Sequence, residues 1–350
     1  VTVAYNTNIN RTSLIAGRSC ADGGDAVNYN VLAFNTSGTE ATLNRAPSLG
    51  CLSPGDEVLI INLQGTYSSM DNVGNYETLR IQSVSATTVR FTTAKTKYYG
   101  NNLNDDTNLG TTANTQRVML QRVPNYQNLT VNSGIDFYPD AWSTEAKENP
   151  IYREGKGGVM FFRASESVNI NGTIDVTGLG YRGGTNNSYG GDGGEAFCGL
   201  GGSGRDASVV GGSGAGGGGA TLDGGNGYCG GGGGSYTGNT PGLGSPNRGG
   251  AGGGAGRNTA AGGGGGHGTP GTGGGGLTSE EAGEDGGTNS SGDGGVSADG
   301  GGGGGGAYGE DNLSKIFFGS SGGAGSDNGA NLGGAGGNGG GIVLINANSV

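Results

Sequence analysis

The amino-acid sequence predicts an all-β protein with almost no α-helix. An antiparallel β barrel or sandwich comes first, followed by a β-domain that carries an inserted bundle of polyglycine II helices. Short alternating apolar segments fill the first part of the chain, and most of its 88 glycines fall between Gly178 and Gly341. Two similar apolar segments flank that stretch. The predicted domains are a barrel or sandwich at 1–126, a β base at 127–177, the bundle at 178–341 and a returning terminal strand at 342–350.

Alternation of apolar and polar residues identifies the strands of the first domain. The clearest series are Glu57–Leu63, Glu77–Val84, Thr88–Thr93 and Arg117–Arg122. Their apolar side chains recur at every second position, which indicates an antiparallel sheet with one buried face. Several short strands with turns between them predict a small barrel or sandwich. The short strands that follow, between 128 and 176, predict either a sandwich base or the rungs of a short β-helix.

The glycine-rich stretch is either a disordered linker or an ordered array, and we expect order. Glycine far exceeds its average share of about 7%, yet Tyr228, Tyr236 and Tyr308 interrupt the runs, and flexible linkers lack such groups. Collagen requires a strict Gly-X-Y repeat, and glycine weakens β-strands. The regular conformation that is left after these exclusions is the extended left-handed helix, with about three residues per turn. Such rods can exchange backbone hydrogen bonds, and a fully surrounded rod must be nearly all glycine, as in Gly300–Gly306.

The segments that flank the glycine-rich stretch echo each other. Gly157–Ala164 reads GGVMFFRA, and Gly340–Ala347 reads GGIVLINA. The echo predicts that the stretch is an insertion with both ends anchored to one sheet. The last strand is then expected to take its partner from a neighbouring subunit by strand addition. The alternative is an edge strand that the protein itself covers. Because the sequence begins at Val1 without Met, a processed mature product is expected.

Four cysteines predict two disulfides, one between Cys20 and Cys51 and one between Cys198 and Cys229. Metal binding is the weaker reading, because the sequence has no Cys-x-x-Cys and His267 is its one histidine. Disulfides are typical of oxidising compartments, so an extracellular location is expected. A net charge of −11 without a Lys/Arg cluster argues against nucleic acid and anionic membranes. No apolar run reaches the ~20 residues of a membrane span.

Patterns that point to catalysis or metal binding are weak. Gly319–Gly323 matches Gly-x-Ser-x-Gly, but no helix pattern follows it. The carboxylate pairs Asp105-Asp106 and Glu280-Glu281 consist of adjacent residues, which point apart on a strand. We therefore predict no catalytic, cofactor-binding or metal-binding residues, and not an enzyme. Calcium is the one cofactor considered, at Gly191–Gly194 and Asn289–Gly295, which lack the repetition of calcium-binding β-rolls.

Two further groups of residues are candidates for contact or modification. Apolar residues at a loop tip often mark a contact surface, and Ile316, Phe317 and Phe318 form such a tip. The alternative is a hydrophobic cap that closes the bundle. Asn-x-Ser/Thr sites are glycosylation candidates, which matter if the source organism glycosylates them. They are Asn10, Asn35, Asn128, Asn171, Asn186, Asn289 and Asn312.

Glycine-rich runs broken by short loops, such as Gly214–Ala220 and Gly301–Tyr308, resemble the polyglycine-helix bundles of bacteriophage tail-fibre tip adhesins. They also resemble the glycine-rich region of the anaplastic lymphoma kinase ectodomain. The segments Gly157–Ala164 and Asn169–Gly178 are similar to secreted bacterial glycine-rich surface proteins. The resemblance is compositional and covers about half the chain. It implies a binding or structural module rather than a catalyst.

Together these observations predict a non-enzymatic secreted structural protein. We expect a subunit of an extracellular filament, sheath or matrix that assembles with copies of itself through β-strand and surface contacts. The alternative is a receptor-binding adhesin, such as a phage fibre tip, with glycans or a cell-surface receptor as partner. Phage tips usually mature in a reducing cytoplasm, so the paired cysteines favour the structural subunit over that version.

Overall fold

The computed structural model is all-β, as predicted: its described residues form fourteen strands and no α-helix. Two compact units are present. The β-unit comprises residues 1–64, 71–179 and 341–350, and the glycine-rich unit comprises 65–70 and 180–340. The described residues are 1–112, 114–143, 155–185, 190–204, 212–220, 223–235, 240–246, 249–256, 260–275, 282–286, 291–295, 300–310, 312–326 and 333–350.

Six antiparallel strands of the β-unit close into a barrel. They are β3 (Asn28–Phe34), β4 (Glu40–Leu43), β5 (Glu57–Gln64), β6 (Tyr76–Ser85), β7 (Thr88–Phe91) and β8 (Arg117–Arg122). Around the barrel their order is β3–β4–β7–β6–β5–β8. The apolar residues that recur at alternate positions, such as Val58 and Ile60 on β5 and Leu120 on β8, fill the interior.

The expectation of one buried face is wrong for two barrel strands. Every residue of β5 and β8 is buried, on both faces. Part of the reason is a segment of the β-unit that lies against the outside of the barrel. There Asn30 Nδ2 donates to the Gly155 carbonyl at 3.1 Å, and the Gly157 amide approaches Met119 Sδ at 3.4 Å. Alternation in sequence shows that a strand has two different faces, but it does not show whether a later segment covers the second.

Parallel strands form the other part of the β-unit, a short solenoid. One sheet contains β1 (Thr2–Val3), β9 (Asn125–Tyr126), β10 (Leu129–Val131), β12 (Val159–Ile170) and β14 (Ile342–Ser349). Its order is β1–β10–β12–β14, with β9 also against β12. The second sheet contains β2 (Thr7–Asn8), β11 (Asp136–Tyr138) and β13 (Thr173–Ile174), ordered β13–β11–β2. The turns β1–β2, β10–β11 and β12–β13 stack on one another, which is the arrangement of β-helix rungs.

The two echoing segments are neighbours in this solenoid. Strands β12 and β14 pair in parallel from Val159 opposite Ile342 to Ala164 opposite Ala347. This is the register in which the two sequences align. The chain therefore leaves the solenoid after β13 and returns from the glycine-rich stretch onto the strand next to β12.

An ion pair joins the barrel to the solenoid. Arg163 on β12 donates to the carboxylate of Glu57 on β5, with an Nη2–Oε1 distance of 2.7 Å. The side chain of Glu57 is only 7% exposed, whereas that of Arg163 is 29% exposed. Burial alone raises the pKa of Glu57, but the hydrogen bonds and the charge of Arg163 outweigh it. The pKa of this carboxyl therefore lies below its ordinary value.

This ion pair should make the β-unit sensitive to acid. A folded-state pKa below the unfolded value stabilises the fold above about pH 4.3, and that stability is lost as the pH falls through the folded-state pKa. We expect Glu57→Gln to cost about 1.5–3 kcal/mol at pH 7 and to weaken the acid dependence of unfolding. Glu40→Gln, which breaks the exposed pair with Arg90, should cost less than about 1 kcal/mol. Urea titrations at pH 7 and pH 3 test this, and equal effects of the two substitutions would contradict it.

The glycine-rich unit consists of extended runs joined by backbone hydrogen bonds, to which neither helix nor strand is assigned. We call these runs rods. They are 180–185, 190–195, 214–220, 224–227, 230–235, 241–245, 249–256, 260–266, 271–275, 282–286, 291–295, 300–306, 319–326 and 333–340.

The hydrogen bonds between rods recur at every third residue. In rod 249–256, the amides of Gly250, Gly253 and Gly256 all donate to rod 300–306. The acceptors, at 2.9, 2.9 and 2.7 Å, are the carbonyls of Gly306, Gly303 and Gly300. A β-strand would present every second residue to one neighbour. A period of three is that of the extended left-handed helix.

Three rods, 230–235, 249–256 and 300–306, lie at the centre and bond to one another. Rod 249–256 bonds to six rods: 190–195, 214–220, 230–235, 260–266, 300–306 and 319–326. Rod 300–306 bonds to six rods: 230–235, 249–256, 260–266, 271–275, 282–286 and 291–295. Rod 230–235 bonds to six rods: 214–220, 224–227, 241–245, 249–256, 291–295 and 300–306. The rods therefore pack as a hexagonal array whose centre is backbone.

Candidate functional site

The outer edge of β14 is the main candidate for a functional surface. Strand β14 pairs with β12 on one side, and no other strand in the described part of the chain pairs with it. Alternate residues Val343, Ile345 and Ala347 lie on one face of this strand. Ile345 and Ala347 pack against the solenoid core, but Val343 is 40% exposed, whereas Met160, its partner on β12, is fully buried. The apolar row on this face is thus incompletely covered at the edge.

The opposite end of the same sheet is β1. It pairs in parallel with β10, through Thr2 opposite Thr130 and Val3 opposite Val131. Val3 is fully buried in the solenoid core, whereas Val1 is 43% exposed. Among the described strands, none lies on the other side of β1. The sheet thus ends in two edge strands that point in the same direction, and unpaired edges are templates for further strands.

All four cysteines are bonded. Cys20 joins Cys51 with Cα atoms 5.2 Å apart, and Cys198 joins Cys229 with Cα atoms 6.3 Å apart. The first disulfide packs against the barrel core. Both cysteines of the second are buried within the glycine-rich unit. Two disulfides are compatible with an extracellular protein, because such bonds persist in oxidising compartments.

The predicted contact loop is largely internal. Phe318 is fully buried, so the expectation that it contacts a partner is wrong. Its ring lies edge-on to Tyr181 with centroids 5.2 Å apart, and its carbonyl accepts a hydrogen bond from the Tyr308 hydroxyl. Phe317 packs edge-on against Tyr308 at 5.7 Å, and Ile316 is half-buried. These internal contacts are the ones expected of the alternative, a hydrophobic cap that closes the bundle.

The predicted glycosylation sites differ in accessibility. Asn10 is wrong as a site, because its side chain is buried between the Ala26 carbonyl, at 2.6 Å, and the Asp140 amide, at 2.7 Å. The side chains of Asn35 and Asn128 are half-buried and already hydrogen-bonded.

Two of the remaining sequons are accessible. Asn171 and Asn312 are exposed. Asn186 and Asn289 lie outside the described residues. Glycan attachment is therefore sterically open at Asn171 and Asn312 and stays a prediction there.

The serine of the Gly-x-Ser-x-Gly pattern, Ser321, is fully buried, and its hydroxyl donates to the Glu195 carbonyl at 2.8 Å. The neighbouring Ser320 donates to the Tyr308 hydroxyl at 2.9 Å. The imidazole of His267 lies edge-on to the Tyr308 ring at 4.8 Å. Ser320 and His267 therefore both contact Tyr308, whereas the Ser321 hydroxyl is buried in a structural hydrogen bond.

The predicted acidic loops are held by ordinary loop contacts. Asp105 accepts hydrogen bonds from Asn102 and Thr107, and Asp106 pairs with Lys95 at 2.6 Å. Glu280 and Glu281 lie outside the described residues, as does Asn289 of one calcium candidate.

In the other calcium candidate, Asp192 accepts a hydrogen bond from the Gly204 amide at 2.6 Å. Across the described ranges, no three His, Cys, Asp or Glu side chains are placed to share a metal ion. In the same residues, no helix has the length and apolarity needed to cross a bilayer.

Comparison with known proteins assigns this chain to no family. No protein-family model matches the chain, and no curated protein matches its sequence. Among solved structures, the chain is similar to the tailspike gp61 of Pseudomonas phage phi297, with 22% identity and a TM-score of 0.19. The match covers 50% of this chain and 26% of the tailspike chain, so it spans about a quarter of the tailspike's length. A TM-score this low assigns the chain neither a fold family nor an activity.

Proposed function

We propose that this protein is a structural subunit of an extracellular assembly. Copies join head to tail, with the β14 edge of one copy beside the β1 edge of the next. The observation that carries the proposal is the β14 edge, where the apolar row remains open at Val343. A strand of a second copy would cover that row and pair with the edge.

The geometry of the sheet favours a polymer over a closed dimer. Strands β1, β10, β12 and β14 all run in the same direction, so β1 of a second copy continues the sheet in parallel. The two edges belong to different strands, which makes the contact heterologous. Heterologous contacts form open filaments unless their rotation closes a ring.

The remaining features suit a load-bearing subunit. Strand addition supplies main-chain hydrogen bonds along the contact. The disulfides hold each unit covalently in an oxidising compartment. The hexagonal array of rods gives the glycine-rich unit a backbone-bonded interior. The role proposed here needs no chemistry on a substrate.

The test is to place a charge on the open row. A lysine at an edge strand opposes pairing with a further strand, so Val343→Lys should raise the concentration needed for polymers by about tenfold or more, which corresponds to ~1.4 kcal/mol. Leu32→Lys is the matched control, because Leu32 is 38% exposed on β3 of the barrel. It should polymerise like the unmodified chain. Sedimentation over a concentration series and negative-stain microscopy provide the measurement.

Two outcomes would reject the proposal. One is polymer formation by Val343→Lys at the same concentration as the unmodified protein. The other is an unmodified protein that stays as discrete particles at every concentration. Discrete particles that bind cells would instead support a receptor-binding adhesin.

A further inference from the structure

Lys95, in the loop that follows β7 of the barrel, has a deeply buried side chain. Only 5% of that side chain is exposed. Its backbone amide donates to the Gly38 carbonyl at 2.9 Å, and a Cβ atom at Gly38 would lie 3.0 Å from Lys95 Cγ. The stem of the lysine is therefore packed against the β3–β4 turn. Lysine is almost never buried to this extent unless its charge is paired.

Three aromatic rings lie around the ammonium nitrogen of Lys95. The distances from Nζ to the ring centroids are 5.1 Å for Phe34, 4.8 Å for Tyr98 and 5.7 Å for Tyr99. The rings of Phe34 and Tyr99 also contact each other, with centroids 5.5 Å apart. Tyr99 is fully buried. The rings attract the ammonium group and shield this end of the lysine from water.

Two oxygen atoms contact the same nitrogen. Asp106 Oδ2 lies 2.6 Å from Lys95 Nζ, and the Lys97 carbonyl accepts a hydrogen bond from Nζ at 2.8 Å. The other carboxylate oxygen of Asp106, Oδ1, accepts a hydrogen bond from the Tyr99 amide at 3.1 Å. The carboxyl carbon Cγ is one bond beyond Oδ2. A contact this close brings Nζ and Cγ within reach of the near-attack separation of about 3–3.5 Å.

Glu77 on β6 fixes the backbone that carries these groups. Its Oε1 accepts hydrogen bonds from the Tyr99 hydroxyl and the Lys97 amide, both at 2.9 Å, and its Oε2 accepts one from the Thr96 amide at 2.8 Å. Burial, and after it the charge of Glu77, raises the pKa of Tyr99 well above its ordinary value, so this hydroxyl stays a donor. The amine and the carboxyl group are thus held by contacts that do not depend on either of them.

We propose that Lys95 and Asp106 condense into an amide, which forms an isopeptide cross-link between their side chains. A proton passes from the ammonium group to Oδ2 and leaves a neutral amine beside a neutral carboxylic acid. The lone pair of Nζ forms a bond to Cγ, and the Tyr99 amide stabilises the charge that develops on Oδ1. A second proton passes from Nζ to Oδ2, the Cγ–Oδ2 bond breaks, and one water molecule leaves.

The hydrogen bonds of the site fit the product as well as the ion pair. The amide formed from Lys95 and Asp106 carries a single N–H, which keeps the Lys97 carbonyl as its acceptor. Its carbonyl oxygen is the former Oδ1 and keeps the Tyr99 amide as its donor. The cross-link replaces a buried pair of charges, which is costly to remove from water, by a neutral amide with both partners in place.

The charged pair is the major species before reaction, because the rings and the carboxylate stabilise the ammonium group. The neutral pair that reacts is therefore a minor species. Well-oriented intramolecular reactions reach effective molarities of about 10⁵–10⁸ M, which compensates for a small reactive population. That population sets how fast the cross-link forms. The cross-link closes the loop between Lys95 and Asp106 covalently, and it depends on neither edge of the solenoid sheet.

Intact mass spectrometry of the denatured protein tests the proposal. The chain should be lighter, by one water molecule, than its sequence with two disulfides requires. Lys95→Arg is the matched control, because arginine keeps a positive charge beside Asp106 but stays protonated and cannot attack the carboxyl carbon. Asp106→Ala removes the carbon that is attacked. Both variants should show the full mass of their own sequences.

Tryptic digestion locates the bond. Trypsin cannot cleave after a modified Lys95, so residues 91–97 should remain attached to residues 98–117 in one branched fragment. Full mass for the unmodified chain would overturn the proposal and leave an ordinary ion pair. Loss of water that persists in Lys95→Arg would also overturn it, because the dehydration would then lie elsewhere in the chain, as in a cyclised aspartate.

Discussion

Gly303→Ala is expected to unfold the glycine-rich unit or to destabilise it by about 3 kcal/mol or more. Gly303 lies in rod 300–306, one of the three rods that are surrounded on all sides. A Cβ atom there would lie 2.0 Å from the carbonyl oxygen of Gly292. Because that atom belongs to backbone, the clash is relieved only by moving rod 291–295 and breaking its hydrogen bonds. One methyl group thus opposes the packing of several rods.

Hydrogen exchange with peptide-level resolution measures this effect. Amides of rods 249–256 and 300–306 should lose protection in Gly303→Ala. Gly275→Ala is the control, because a Cβ atom at Gly275 meets nothing within 4 Å and surface substitutions usually change stability by less than about 0.5 kcal/mol. Equal protection in both variants would show that the backbone array does not hold the unit together.

The second large effect is expected from removal of the disulfide in the glycine-rich unit. Cys198 and Cys229 are 31 residues apart, and in the loop-entropy model a ring of that size contributes about 3–4 kcal/mol. The double substitution Cys198→Ala/Cys229→Ala should therefore cause a comparable loss of stability. Its amide protection should fall in the glycine-rich unit.

The other disulfide is a matched control. Cys20 and Cys51 are also 31 residues apart, so the model assigns both rings the same entropy. Cys20→Ala/Cys51→Ala should cost a similar amount, but the loss of protection should appear in the barrel. If both double variants lost protection in the same peptides, the two units would not be stabilised separately by their disulfides.

Much of the β-unit could be predicted from side-chain pattern. Alternation located β5, β6, β7 and β8, with ends that differ by a few residues. Strand β4 was missed, because Glu40–Leu43 offers only Ala41 and Leu43 as apolar residues. Coverage of the outer barrel face was missed as well, since it depends on residues 155–157, far away in the sequence.

The similar sequences of β12 and β14 predicted that both strands belong to one sheet, and the structure pairs them in the register in which the two sequences align. The arrangement of the rods could not be predicted. Glycine has no side chain to distinguish one neighbour from another, so composition predicts rods without predicting which rods touch.

The groove lined by residues 260–264, 322–323 and 333–337 is invisible in sequence for the same reason. So is the membership of residues 65–70 in the glycine-rich unit, where Tyr67 stacks on Tyr228 with ring centroids 4.9 Å apart. The candidate edge at β14 was predicted from its echo. The exposure of Val343 at this edge, however, could be seen only in the structure.

The backbone interior of the three central rods has a thermodynamic consequence. Unfolding exposes peptide groups there in place of hydrocarbon. Apolar exposure raises the heat capacity by about 0.45 cal/K/mol per Å², whereas polar exposure lowers it by about 0.26. The heat-capacity increment per residue of this unit should therefore fall well below the usual value of about 12–15 cal/mol/K. A small heat-capacity increment flattens the dependence of stability on temperature. Cooling should therefore destabilise this unit less than it destabilises a protein with a core of apolar side chains.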